Sequence, residues 1–104
     1  MRPLVHPAAE EITLSGVLYA LADPVRLEMF RRLADRGEVN CSGCAPIDLP
    51  KSTLSHHLRV LREAGLVRSE KRGTEVVNVA RLADLQRRFP DLIAAISRAA
   101  GEAR

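Results

Sequence analysis

Apolar residues recur at helical spacing along most of this chain of 104 residues. Leu14, Val17, Leu18 and Leu21 share one stripe and predict a helix over residues 9–22. Asp23-Pro24 marks a restart, with Asp as the capping residue and Pro in the first helical position. The second helix should run to about Asp35 and close at Gly37, burying Leu27, Phe30 and Ala34 while Arg31, Arg32 and Arg36 stay wet. Residues 38–49 are weakly patterned. Leu54, Leu58 and Leu61 then fall at i, i+4, i+7 and predict a short helix over residues 50–66. Pro50 suits its first turn, Ser52 and Thr53 can satisfy entry donors, and Gly65 can close it with Leu66 folding back. Val76, Val77 and Val79 are β-branched, so residues 67–79 read as two short strands around Lys71-Arg72-Gly73-Thr74. Leu82–Arg88 reads as a short helix. Pro90 begins a last helix through about Ala100, striped by Leu92, Ile93 and Ile96.

These elements make a mainly α fold with a two-stranded β-hairpin. Residues 1–8, with Pro3 and Pro7, read as a flexible N-terminal arm; residues 9–100 form one domain, and 101–104 a tail. The helix over 50–66 has a second face. Ser52, Ser55, His56, Arg59 and Arg62 lie opposite the leucines, with no carboxylate until Glu63. Hydroxyls, an imidazole and guanidinium forks on a short helix suit the edges of bases in a DNA major groove. A basic hairpin tip directly after such a helix reads as a wing beside it, although a solvated hairpin is the alternative when it is taken alone.

Charge distribution sharpens this picture. The net charge is only +3, but residues 51–72 carry six Lys and Arg against Glu63 and Glu70. Residues 1–50 hold five arginines against seven acids. A localised basic patch favours a phosphate backbone and makes binding salt-sensitive. Hydrophobic content is 46% with only 3% aromatic, so the core must be aliphatic and helical packing is favoured. No segment approaches the roughly 20 apolar residues of a membrane span, and no long apolar leader is evident. The expectation is a cytoplasmic protein with no membrane partner.

At this point the residues resemble the ArsR/SmtB family of winged helix-turn-helix regulators. The resemblance runs over residues 18–96. ALADPVRLEMFRRL is similar to the family's first signature, and KSTLSHHLRVLREAGLV is similar to its recognition helix. The resemblance implies a homodimer formed through the first and last helices, here Leu14, Leu18, Leu92, Ile93 and Ile96. It implies a DNA-binding transcriptional regulator, most often a repressor, on a palindromic double-stranded operator, released by an effector. Carried over by position, Ser52, Thr53, Ser55, His56 and Arg59 would face the groove. Lys51, Arg62, Lys71 and Arg72 would meet phosphate or minor groove, which positions without choosing sequence. His57 falls on the leucine side and reads as a packed histidine.

Cys41 and Cys44 form a Cys-x-x-Cys pair, which suggests metal or redox chemistry before a disulfide. The family's metal box is written Glu-Leu-Cys-Val-Cys-Asp-Leu; this chain has Glu38-Val39-Asn40-Cys41-Ser42-Gly43-Cys44. Asn40 and Ser42 stand at the ligand positions, while both cysteines stand where Val and Leu are usual. Two readings therefore stay open: small core residues, or thiolates sensing a transition metal or oxidant, with His6 as a third ligand. No cofactor is required by the DNA-binding reading. Gly43 and Pro46 should shorten or distort the helix ahead of the recognition helix. A winged-helix module contacting only proteins is a further alternative. No phosphate loop, carboxylate pair or nucleophile with a partner base supports an enzyme.

Overall fold

A computed structural model describes residues 4–37, 39–40, 43 and 45–102. After a 3-10 turn at Ala9–Glu11 come α1 (Leu14–Leu21), α2 (Pro24–Arg36), β1 (Val39–Asn40), α3 (Lys51–Glu63), β2 (Val67–Arg72), β3 (Glu75–Ala80), α4 (Leu82–Arg88) and α5 (Leu92–Glu102). This is the expected mainly α fold with a β-hairpin. The hairpin also gains a third strand from the weakly patterned segment. β1 pairs antiparallel with β3, Val39 opposite Asn78, giving the order β1-β3-β2. Two residues carry too little periodicity to reveal such a strand in sequence. Among the described residues 45–50 there is no regular structure ahead of α3.

Several boundaries move for identifiable reasons. The first helix starts at Leu14, not near residue 9, because Thr13 caps it: its Oγ1 accepts the Gly16 N–H at 3.0 Å. Asp23 caps α2 as expected, its Oδ1 accepting the Val25 and Arg26 N–H groups at 2.8 and 3.1 Å. The buried face of α2 is Arg26, Met29, Phe30 and Leu33; Leu27 and Ala34 are only half-buried. Apolar side chains occur on both flanks of α2, so spacing alone did not choose between adjacent stripes. Pro50 stands just outside α3 as its cap, without a side-chain hydrogen bond. α5 begins at Leu92 after Asp91, which takes a left-handed φ of 66°, rather than at Pro90.

The core is aliphatic around one aromatic. Phe30, Met29, Leu33, Ile12, Val17, Leu58, Leu61, Leu66, Val67 and Leu85 are all at most 2% exposed. Each such side chain contributes roughly 1.5–3 kcal/mol by leaving water. α3 ends in a Schellman closure: Leu66 N–H donates to the Leu61 carbonyl at 3.0 Å and Gly65 N–H to that of Arg62 at 3.1 Å. Gly65 sits at φ 85°. Ile12 packs directly against its α-carbon, in the space a Cβ would need.

The Asp23 cap yields a prediction. Accepting the Arg26 N–H, and then the Val25 N–H, holds its carboxyl below the usual carboxylate range, against the opposing effect of partial burial. Its contribution is therefore present above the unfolded-state value of about 3.9 and lost as pH falls through the lower folded-state value. Asp23→Ala should remove about 1 kcal/mol of stability in urea unfolding at neutral pH. The gap between mutant and wild type should close in acid.

Candidate nucleic-acid interface

α3 resolves into the two faces its sequence implies. Leu54, Leu58 and Leu61 are buried, Leu58 at 2% exposure. Lys51, Ser52, Ser55, His56 and Arg59 are exposed. Ser52, Ser55, His56, Arg59 and Arg62 line one shallow concavity on the solvent side. Its basic and hydroxylated lining can donate hydrogen bonds to phosphates or to guanine and adenine edges. Two of the expected contact residues depart from this exposure. Thr53 is half-buried on the flank shared with His57, beside the leucine stripe. Arg62 is also half-buried, with Nη1 directed at Ser69 Oγ of β2 at 3.5 Å.

The wing follows without a break. Val67 and Ser69 of β2 point inward while Arg68 and Glu70 point outward. The register pairs Arg72 with Glu75, leaving Gly73 and Thr74 as a two-residue turn. Gly73, at φ 62°, takes the left-handed position that hairpin turns of this length need. Lys71 and Arg72 are exposed near the tip. Arg72 Nε lies 3.6 Å from Glu70, a surface pair of little energetic weight. Inside the wing, Ser69 Oγ donates to Asn78 Oδ1 at 2.7 Å, and Asn78 is fully buried.

The N-terminal segment is part of this site, which sequence reading missed. Residues 4–7 lie alongside the C-terminal half of α3. Leu4, Val5, His6 and Pro7 form a groove with Glu11, Arg59, Arg62 and Glu63. His6 Nε2 accepts the backbone N–H of Ser69 at 3.0 Å, and Arg81 Nη1 donates to the Pro7 carbonyl at 2.8 Å. Two prolines and a lone histidine give no periodicity from which such a contact could be read. Burial lowers the proton affinity of His6, and the Arg62, Arg81 and Arg68 guanidiniums lower it further. The neutral imidazole is the form that can accept from Ser69. A lowered folded-state value means that this contact is intact at and above the ordinary histidine value of about 6.5 and is lost only as pH falls through the lower folded-state value. Going from about pH 7.5 to about pH 5 should reduce the protection factor of the Ser69 amide in hydrogen exchange. His6→Ala should show the low protection at both pH values.

His57 is packed, as its position implied: Arg26 Nη1 lies 3.2 Å from its Nδ1. Cys41 and Cys44 lie outside the described residues. His6, their suggested third ligand, has its Nε2 lone pair engaged by Ser69. Among the described residues no three His, Cys, Asp or Glu side chains converge to hold a metal ion. Of the residues expected at a dimer interface, Leu14 and Leu18 are about half exposed, with Tyr19 beside them 70% exposed. Leu92, Ile93 and Ile96 are half-buried against the core. Among the described residues no helix is long and apolar enough to cross a membrane.

A helix-turn-helix domain family matches residues 21–70, which span α2, α3 and the start of the wing. An ArsR-like transcriptional regulator from Rhodococcus sp. RHA1 superposes with a TM-score of 0.62 at 30% identity, over 86% of this chain and 87% of that one. The chain belongs to the ArsR family of helix-turn-helix transcriptional regulators. Membership places it among regulators rather than enzymes, as the sequence implied. An HTH-type transcriptional regulator of Methanocaldococcus jannaschii is 37% identical over 59 residues, 56% of this ArsR-family chain and 66% of the relative. The arsenical resistance operon repressor of Bacillus subtilis is 39% identical over 56 residues, 53% of each. The matches thus span about half to two thirds of the length of these curated relatives.

Proposed function

We propose that this ArsR-family chain is a cytoplasmic, sequence-specific DNA-binding repressor. It acts as a twofold homodimer on a palindromic operator and is released by an effector. The observation that carries the reading is the division of α3: leucines inward, and Ser55, His56 and Arg59 outward beside a basic wing. A twofold pair would set two such helices in successive major grooves about one helical turn apart. The uncovered Leu14, Leu18 and Tyr19 of α1, and the half-buried Leu92, Ile93 and Ile96 of α5, are the apolar side chains on the two helices that support a second copy. Repression is favoured by the relative named an arsenical resistance operon repressor.

Selection of bound duplexes from a random-sequence library tests this directly. The expected product is a two-half-site palindrome bound by a dimer, with affinity falling steeply as salt rises. Recovery of no enriched sequence, or binding that ignores salt, would overturn the reading.

A further inference from the structure

Arg26 is an unusual member of a hydrophobic core. It is 9% exposed, and a guanidinium keeps its charge there. Its side chain meets three groups on two other helices. Nε donates to the Ala20 carbonyl at 2.8 Å, one of the carbonyls left open at the C-terminal end of α1. Nη1 reaches His57 Nδ1 on α3 at 3.2 Å. Its Cζ stands 5.8 Å from the centre of the Tyr19 ring, on the uncovered face of α1. Among the described residues its side-chain hydrogen bonds go to a carbonyl and an imidazole, and the Asp23 carboxylate is near enough to feel its charge without bonding to the guanidinium. Burying a guanidinium is expensive compared with an apolar side chain of similar volume. A packing role alone does not call for it.

The chemistry fixes a direction. Arg26 can only donate, so Nδ1 of His57 must accept and the ring proton belongs on Nε2. The groups around that imidazole are Asp23 and Arg26 from α2, His56 from α3 itself, with ring centres 6.0 Å apart, and Tyr19 of α1 beyond the guanidinium. His57 lies next to His56 and two residues from Ser55 and Arg59 in the sequence of α3. Turning α3 about its axis moves Nδ1 relative to Nη1 and the outward-facing side chains together. Covering Tyr19 would strengthen the pull of its ring on the guanidinium, because cation–π attraction grows as water is removed.

We infer that Arg26 is a positioning residue that ties the roll of the recognition helix to a second copy of this chain seated on the outer face of α1. The tie rests on the reading of α3 as the helix that contacts bases. It works in both directions, since coupling between two sites is reciprocal: covering α1 sharpens base readout, and bound DNA alters the surroundings of Tyr19.

The test uses the full chain and a duplex recovered by the selection above, beside a random-sequence duplex of equal length. Tyr19 is the one tyrosine and the chain has no tryptophan, so its emission reports on α1 alone. Emission is measured at a concentration where sedimentation shows a single oligomeric state. Adding the selected duplex should change the emission of the wild-type protein. His57→Leu removes the acceptor and should lower affinity for the selected duplex about tenfold, the order of one displaced base contact. Affinity for the random duplex should be unchanged, which simple unfolding would not give. The Tyr19 response should disappear. His57→Asn, which keeps an acceptor near the same place, should restore both.

Silent Tyr19 emission in the wild type, or full discrimination by a His57→Leu protein, overturns the tie. Should His57→Leu fail to fold, the wild-type emission measurement decides alone. A wild-type protein that binds both duplexes equally instead removes the base-reading role of α3, a separate failure.

Discussion

Gly65→Ala should be among the most destabilising single substitutions in this chain, lowering the unfolding free energy by about 2–4 kcal/mol. Two independent effects combine. The residue holds φ 85°, where any Cβ is strained. The new methyl would also stand within contact distance of the Ile12 side chain, with Cδ1 only 2.7 Å away. Gly73→Ala makes the control. Its φ is also positive, at 62°, but nothing lies within 4 Å of its would-be Cβ. It should lose only the backbone part, about 1–2 kcal/mol. Urea unfolding of both variants separates the two effects. Equal losses would mean that Ile12 yields without penalty, and Ile12→Ala should recover part of the Gly65→Ala loss otherwise.

Arg59→Ala should weaken binding to the selected duplex by about 1–3 kcal/mol, roughly 5- to 150-fold, and relax the sequence preference at one position of each half-site. Its exposed side chain contributes little to the fold, so the melting temperature should stay within a degree or two of wild type. Lys71→Ala at the wing should behave differently. It should weaken selected and random duplexes alike and reduce the salt slope by about one. Competition binding at several salt concentrations distinguishes the two patterns. An Arg59→Ala protein with unaltered discrimination would assign specificity elsewhere on α3.

The recognition helix and the wing could be read from the sequence because their signals are local and repeat. Three leucines at helical spacing fix which way α3 faces, and that alone sends Ser55, His56 and Arg59 outward. Gly65 and Gly73 mark the helix end and the turn because each needs a backbone that other residues avoid. Asp23-Pro24 fixes the start of α2 for the same kind of reason. Contacts between distant segments left no such trace. β1 is two residues long and is a strand only because β3 offers a partner. His6 is joined to Ser69 across 63 residues of sequence. Arg26 looks like one more wet arginine until the end of α1 and His57 are brought to it. Thr53 and Arg62 of α3 are half-buried, because neighbouring segments that helical periodicity does not describe cover part of each.

The bond from Ser69 to His6 also bears on solubility. In the order β1-β3-β2, β2 is an outer strand, and outer strands carry main-chain groups that another polypeptide can pair with. The imidazole occupies one of those groups, while Arg68 and Glu70 guard the neighbouring positions with charge. A shortened version beginning after Pro7 would therefore uncover a sticky margin of sheet, and self-association through it is the hazard to watch in any truncation made for convenience.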